Sequence, residues 1–134
     1  MLNLPQTGIM IRKNKYSIIA ALIILYLSLT SSQTFVNMGF FNIRYLDKMV
    51  HFGLYFFFMA VIIFEHRNSF INTRQLLSVA LIPFFLGILI EFLQSGLTSS
   101  RKGDVLDAIF NSMGIATALY LWLFFKPYHN EKIR

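Results

Sequence analysis

Four long apolar runs separated by short polar stretches form the hydrophobic pattern of this chain. The pattern predicts helices over residues 16–35, 47–64, 76–95 and 104–125, and Pro127 is expected to end the last of them. A run of about 20 apolar residues is long enough to cross the hydrocarbon core of a bilayer. We therefore predict an all-α fold, an integral membrane bundle of four transmembrane helices.

The composition agrees with a membrane location. Hydrophobic residues make up 56% of the 134 residues and charged residues 13%, whereas soluble domains carry about a quarter charged residues. Cysteine is absent, which excludes disulfides, thiolate catalysis and sulfur-ligated metals. We divide the chain into a basic leader at residues 1–15, a single four-helix transmembrane domain at 16–126 and a polar tail at 127–134.

The first apolar run has two interpretations. A basic start followed by an apolar core is also the pattern of a secretory signal peptide. The segment after Leu29 lacks the alanine-type cleavage site that such a peptide needs. We therefore expect this run to be retained as the first helix.

The basic residues lie in small groups beside the apolar runs and form no continuous basic face. The net charge of +6 therefore fits basic loops that orient a membrane protein, and we expect no nucleic-acid partner. With a cytoplasmic N-terminus, the inner side holds eight basic residues, namely Arg12, Lys13, Lys15, Arg67, Arg74, Lys126, Lys132 and Arg134. The outer side holds only four, namely Arg44, Lys48, Arg101 and Lys102. Because Lys and Arg concentrate in cytoplasmic loops, we predict a multi-pass protein with both termini cytoplasmic.

Polar residues within the apolar runs concentrate at the ends that this orientation places outside. Glu91 lies inside the third run, and a carboxylate at membrane depth costs at least a few kcal/mol and usually has a function. Spacings of three and four place polar residues of the second and fourth runs on single helix faces. The candidate site residues are Asp47, Lys48, His51, Tyr55, Glu91, Gln94, Arg101, Asp104, Asp107 and Asn111.

Most of these residues also have a purely structural interpretation. Asp47 and Asp104 suit helix N-caps, and Asp107 lies three residues on, where a capping-box acid belongs. His51 taken alone fits an interior histidine with satisfied hydrogen bonds. Asn111 fits a hydrogen bond between helices.

Glu91 is the hardest of the set to explain as a structural residue. It lies near a helix C-terminus, where the helix dipole disfavours an anion, and it is too deep to cap the helix. A buried ion pair with Arg101 would be its structural role. We expect instead that Glu91 serves a binding or catalytic function.

The order of the polar blocks resembles the VanZ-like family of bacterial membrane proteins. The blocks are Asp47-Lys48-x-x-His51-Phe52-x-x-Tyr55, Gly87-x-x-x-Glu91-x-x-Gln94 and Arg101-x-x-Asp104-x-x-Asp107-x-x-x-Asn111-x-x-Gly114. The resemblance runs from about Asp47 to the end of the fourth helix. It implies a small helical membrane protein, and the family's namesake is associated with low-level resistance to teicoplanin, a glycopeptide that binds peptidoglycan precursors.

Two kinds of binding chemistry fit the candidate residues. Carboxylates crowded around His51 can bind a divalent cation, and that cation can bridge to a lipid phosphate. Basic side chains can instead hold a phosphate or carboxylate directly, and the candidates are Arg44, Lys48, Arg101 and Lys102. The sequence contains no nucleophile elbow, phosphate-binding loop, HExxH or dinucleotide-binding motif.

We therefore expect an envelope protein of the bacterial cytoplasmic membrane that recognises an anionic lipid-linked or cell-wall group at the outer leaflet and so alters teicoplanin susceptibility. Its expected partners are membrane lipids and a lipid-linked cell-wall precursor. Two alternatives stay open. One is an intramembrane enzyme that uses Asp, Glu and His for acid–base or metal chemistry on a lipid. The other is an ion-coupled transport subunit, for which 134 residues would require a homo-oligomer.

The predicted orientation can be tested with reporter fusions. A reporter that is active only in the cytoplasm, fused to either terminus, is expected to be active at both. The reason is the excess of Lys and Arg on the side that carries the termini. A reporter fused after Leu97 serves as the control and should be inactive. Inactivity at both termini would invert the topology and place the polar residues at the inner face.

Overall fold

A computed structural model describes residues 12–34, 46–68, 72–97 and 104–125 of the chain. These ranges contain four helices, α1 (Lys15–Thr34), α2 (Leu46–His66), α3 (Thr73–Leu97) and α4 (Val105–Phe125). The helix ends lie within three residues of the positions predicted from the hydrophobic pattern. The described ranges contain no strand, and the predicted all-α fold class is confirmed.

Three helices are long and apolar enough to cross a membrane, α2 and α4 with 21 residues each and α3 with 25. At about 1.5 Å per residue, α2 and α4 are about 32 Å long, close to the hydrocarbon core of about 30 Å. α1 is apolar over the shorter stretch Lys15–Leu29. Large apolar side chains such as Phe57, Phe92 and Phe124 are mostly exposed on the outside of the bundle. Such a surface suits lipid, and the protein is an integral membrane helical bundle.

Contacts between helix ends establish the directions of the helices. Lys48 in the first turn of α2 contacts Asp107 in the first turn of α4, so these two helices run parallel. The Gln94 amide near the end of α3 donates a hydrogen bond to the backbone oxygen of Ser28 in α1, at 2.5 Å. α1 and α3 are therefore parallel to each other and antiparallel to α2 and α4. The first turns of α2 and α4 consequently lie at the end of the bundle where α3 ends.

Glu65 connects the other end of α2 to the start of α1. Its carboxylate accepts hydrogen bonds from the backbone N–H groups of Tyr16 and Ser17, at 2.9 and 3.0 Å, and from the Ser17 hydroxyl. A carboxylate at a helix N-terminus satisfies otherwise unpaired N–H groups and interacts favourably with the helix dipole. Glu65 therefore caps α1 from the last turn of α2, whereas the sequence pattern had placed this residue in a loop.

The close approach of α2 and α4 depends on Gly114. These two helices share the largest interface in the described bundle. A β-carbon at Gly114 would meet the carbonyl oxygen of Phe52 and lie 2.9 Å from the backbone nitrogen of Phe56. Backbone atoms cannot move aside as a flexible side chain can. The absence of a side chain at this position therefore sets how closely α2 and α4 approach, as small residues do in other membrane helix pairs.

Gly114→Ala is expected to destabilise the bundle by about 1–3 kcal/mol, the usual cost of overpacking. The measurement is the melting temperature of the purified protein in detergent. Gly53→Ala is the matched control, because a β-carbon at Gly53 meets no atom within 4 Å. That control should leave the melting temperature unchanged or raise it. Equal melting temperatures for Gly114→Ala and the wild type would show that the α2–α4 spacing does not depend on this glycine.

Candidate functional site

The structure brings eight of the ten candidate residues together where α2 and α4 begin and α3 ends. We call this set the polar cluster, and it comprises Asp47, Lys48, His51, Tyr55, Glu91, Asp104, Asp107 and Asn111. Of the remaining two, Arg101 lies outside the described residues, as do Arg44 and Lys102. Gln94 is buried nearby but bonds to the backbone of α1.

Lys48 links the starts of the two parallel helices. Its ammonium group donates to the carboxylate of Asp104 and, at 2.5 Å, to Oδ1 of Asp107. The side chains of Lys48 and Asp107 are 12% and 5% exposed, whereas that of Asp104 is 42% exposed. The Lys48–Asp107 pair is therefore mostly removed from water, where breaking a pair costs more than at a surface.

Asp104 is a helix cap as well as a partner of Lys48. Its Oδ1 accepts a hydrogen bond of 2.9 Å from the backbone N–H of Leu106, and its backbone oxygen accepts from Asp107 N–H at 3.0 Å. The hydrogen bond from Lys48 holds the pKa of Asp104 below its usual range. The ionised Asp104 carboxylate therefore stabilises the folded protein above the ordinary aspartate pKa. This stabilisation is lost as the pH falls through the lowered pKa of Asp104. The structural interpretation of Asp104 and its place in the site are thus compatible.

His51 lies between two carboxylates deep in the cluster. Its Nδ1 is 3.1 Å from Oδ1 of Asn111 and 3.8 Å from Oε1 of Glu91, and its Nε2 is 3.8 Å from Oδ2 of Asp107. The Asn111 oxygen can only accept, so Nδ1 carries the hydrogen in this bond. A neutral His51 therefore presents the lone pair of Nε2 to Asp107. This is the orientation that a metal-binding or proton-accepting histidine requires.

Glu91 is buried at the inner side of the cluster, one turn from Gly87 on α3. Its Oε1 lies 3.8 Å from Nδ1 of His51, and the proposed partner Arg101 lies outside the described residues. The choice between a Glu91–Arg101 ion pair and a functional carboxylate therefore stays a prediction. The position itself agrees with the sequence analysis, since Glu91 is within the membrane-spanning helix and faces the interior.

Two buried hydrogen-bond donors border Glu91 without an acceptor among the described residues. They are the Tyr55 hydroxyl and the Nδ2 group of Asn111. Both side chains lie against Gly87, where a β-carbon would come within 3.2 Å of the Tyr55 ring and 3.3 Å of Asn111 Nδ2. Buried donors are nearly always paired. Both donors lie beside Glu91 and His51 at the buried side of the cluster.

Asp47 lies at the outer edge of the cluster, in the first turn of α2. One of its carboxylate oxygens lies within 4.8 Å of ligand atoms of His51 and Asp107. An acid in the first turn also interacts favourably with the helix dipole. Asp47 therefore contributes to the electrostatics of both the helix and the cluster.

The sequence analysis missed two residues that position the site. Ser28 on α1 is buried, and its backbone oxygen receives the Gln94 side chain. Glu65 anchors α1 at the other end of the bundle. In the sequence, Ser28 is a lone serine in an apolar run and Glu65 is an acid next to the predicted end of a helix. Neither feature indicates a partner, since both contacts join helices far apart in sequence.

The cluster is distinct from the apolar cavities of the bundle. One of them, about 990 Å³, opens between α1, α2 and α3 toward the other end, with Phe58, Ile82 and Phe85 in its wall and Arg74 at its edge. Apolar side chains predominate in its lining, which suits lipid chains. The chemistry that the sequence predicted therefore belongs to the cluster and not to this groove.

A comparison with protein families confirms the resemblance that the order of the polar blocks suggested. The model of the VanZ/LLP1 family matches residues 3–126, which includes all four helices and every residue of the polar cluster. The chain belongs to the VanZ/LLP1 family. No curated protein and no solved structure gives a significant match.

Lys48→Met is expected to destabilise this VanZ/LLP1 protein by about 3–5 kcal/mol, since it leaves the buried carboxylate of Asp107 without its cation. The measurement is the melting temperature in detergent. The double variant Lys48→Met/Asp107→Asn should regain much of the loss. Lys15→Met is the control, because Lys15 is exposed at the start of α1. If the double variant melts no higher than Lys48→Met, the pair is not what stabilises the α2–α4 contact.

Proposed function

We propose that this VanZ/LLP1 protein acts in the bacterial cytoplasmic membrane, where it binds an anionic lipid-linked or cell-wall group at the outer leaflet and thereby changes teicoplanin susceptibility. The observation that carries the proposal is the concentration of buried polar side chains at one end of an otherwise apolar bundle. Ionisable groups at membrane depth are rare and often mark binding sites and ion pathways.

Under the predicted orientation, the proposed binding site lies at the outer face of the membrane. With both termini cytoplasmic, α2 and α4 begin at the outer face and α3 ends there. The cluster then opens to the outer leaflet, where lipid-linked wall precursors and glycopeptides meet. A protein that holds such a precursor at the membrane surface would change how much of it teicoplanin reaches.

The charges of the cluster determine how it can hold an anion. Lys48 is already engaged by two carboxylates, and four acids surround it and His51 in the described residues. An anion therefore needs additional positive charge. Arg44, Arg101 and Lys102 are close in sequence to residues of the cluster and can supply this positive charge. A bound cation is the other possible source.

A second candidate function is an intramembrane enzyme. The observation that favours it is the position of His51, with Asp107 and Glu91 each 3.8 Å from a different ring nitrogen. An imidazole between two carboxylates can accept a proton at one nitrogen while the other is held in place. Incubation of the purified protein with a lipid-linked wall precursor separates the candidates, because only the enzyme releases a new product.

Glu91→Gln tests the proposed function directly. We expect it to abolish the effect on teicoplanin susceptibility while stability stays the same or rises by up to about 2 kcal/mol, because the cluster loses a repelling charge. Asp47→Asn should behave similarly, since asparagine is also tolerated at a helix start. The measurements are the inhibitory concentration in a host where the wild type protects, and the melting temperature in detergent.

Glu65→Gln provides the matched control for Glu91→Gln. It makes the same chemical change at the opposite end of the bundle, so at equal protein level it should keep the protective effect. A large loss of stability in Glu91→Gln that is rescued by neutralising Arg101 would show Glu91 to be a structural ion-pair partner. Full protection by Glu91→Gln would contradict the proposed function.

A further inference from the structure

We infer that Asp47, His51 and Asp107 bind a single Zn²⁺ ion at the mouth of the polar cluster. The inference rests on the proposed function in one respect, because the ion would supply the positive charge by which the site holds its anionic ligand. The metal site itself is argued from the geometry of the three side chains and can be tested without the ligand.

The three side chains present their ligand atoms to a common point. Each offers one oxygen or nitrogen, and these atoms lie within 4.8 Å of one another. Two ligand atoms of a tetrahedral zinc ion, at bonds of about 2.1 Å, lie about 3.4 Å apart. The separation of 3.8 Å between Nε2 of His51 and Oδ2 of Asp107 is close to this value. The exposed Asp47 side chain supplies the third ligand atom of the group.

Hydrogen bonds outside the three ligands already orient two of them. Asn111 accepts from Nδ1 of His51 at 3.1 Å, which leaves the lone pair of Nε2 directed toward Asp107. Metal-binding histidines usually donate their second nitrogen to such an outer partner. Lys48 bonds to Oδ1 of Asp107, while Oδ2 is the oxygen nearest His51. One oxygen of Asp107 is thus held by Lys48 and the other faces the proposed ion.

When Nδ1 carries the only ring hydrogen of His51, its Nε2 and Oδ2 of Asp107 face each other at 3.8 Å with no hydrogen between them. Both atoms carry lone pairs, and both belong to side chains that are 5% exposed. Water therefore screens this repulsion poorly. A cation placed between the two atoms converts the repulsion into two favourable bonds.

Two buried donors of the polar cluster are compatible with a bound oxygen ligand. The Tyr55 hydroxyl and Asn111 Nδ2 have no hydrogen-bond acceptor among the described residues, and Asn111 contacts His51 through its other amide atom. A zinc site with three protein ligands keeps its fourth position for water or a substrate oxygen. Water or a phosphate group bound elsewhere in the cluster would also supply these donors with an acceptor.

The crowding of carboxylates around His51 also favours a divalent ion. Carboxylates of Asp47, Glu91 and Asp107 lie near the His51 ring in the described part of the chain. Separate carboxylates in a medium of low polarity repel one another strongly. One imidazole with two carboxylates suits Zn²⁺ better than Mg²⁺, which prefers oxygen ligands alone and retains its waters.

Metal binding is measured on the full chain purified in detergent and freed of metal with a chelator. Titration with Zn²⁺ should show one ion bound per chain, and excess Mg²⁺ should not displace it. His51→Gln and Asp107→Asn should each weaken binding by more than the 10- to 100-fold typical of losing an outer partner. Glu65→Gln is the matched control and should bind as the wild type does. Absence of binding by the wild type, or equal binding by His51→Gln, would overturn the inference.

Co²⁺ provides a readout that does not depend on the stability of a variant. Wild-type protein loaded with Co²⁺ should show the visible absorption of an ion with a nitrogen ligand, and His51→Gln should change that spectrum. Asn111→Leu removes only the outer partner, so it should weaken Zn²⁺ binding by about 10- to 100-fold without abolishing it. A wild-type spectrum equal to that of Co²⁺ in buffer would overturn the inference.

The metal site and the proposed function can fail separately. If Zn²⁺ does not bind but Glu91→Gln abolishes teicoplanin protection, the metal inference is wrong and the proposed function stands. If Zn²⁺ binds at His51 but Glu91→Gln and Asp107→Asn protect fully, the metal site stands and the proposed function is wrong. The two measurements therefore distinguish the two claims.

Discussion

The burial of charge at the start of two parallel helices is the constraint on which the structure depends. α2 and α4 begin side by side, and each helix start carries a partial positive charge of about half an elementary unit. Lys48 adds a full charge at the same place. The carboxylates of Asp104 and Asp107 neutralise these charges while bonding to Lys48. Part of the acidity of the cluster is therefore required by the helix arrangement itself, whatever the site binds.

Glu91 and His51 are the part of the cluster that this requirement does not explain. Glu91 comes from the end of α3, where the helix dipole disfavours an anion, and His51 lies between it and Asp107. The proposed function rests on Glu91, and the proposed zinc site rests on His51 together with Asp47 and Asp107.

The two ends of the bundle have different tasks. At one end the Glu65 carboxylate accepts hydrogen bonds from backbone N–H groups of α1. These bonds pair both groups and anchor the first helix. At the other end the acids face one another and Lys48. Between them lie apolar side chains and the groove of about 990 Å³, which suit lipid. The described part of the fold thus separates an end where α1 is anchored, an apolar middle and an end that carries the polar cluster.

The sequence by itself determined the helices, their lipid-facing character and the membership of most of the polar cluster. These features depend on local composition and on spacings of three and four, which a helix converts directly into a shared face. Only the tertiary structure decided which groups meet. The bonds of Lys48 to Asp107, of Gln94 to α1 and of Glu65 to the start of α1 all cross between helices. Their pairing depends on the register of packed helices, which close contacts such as that at Gly114 set and which no periodicity along a single helix encodes.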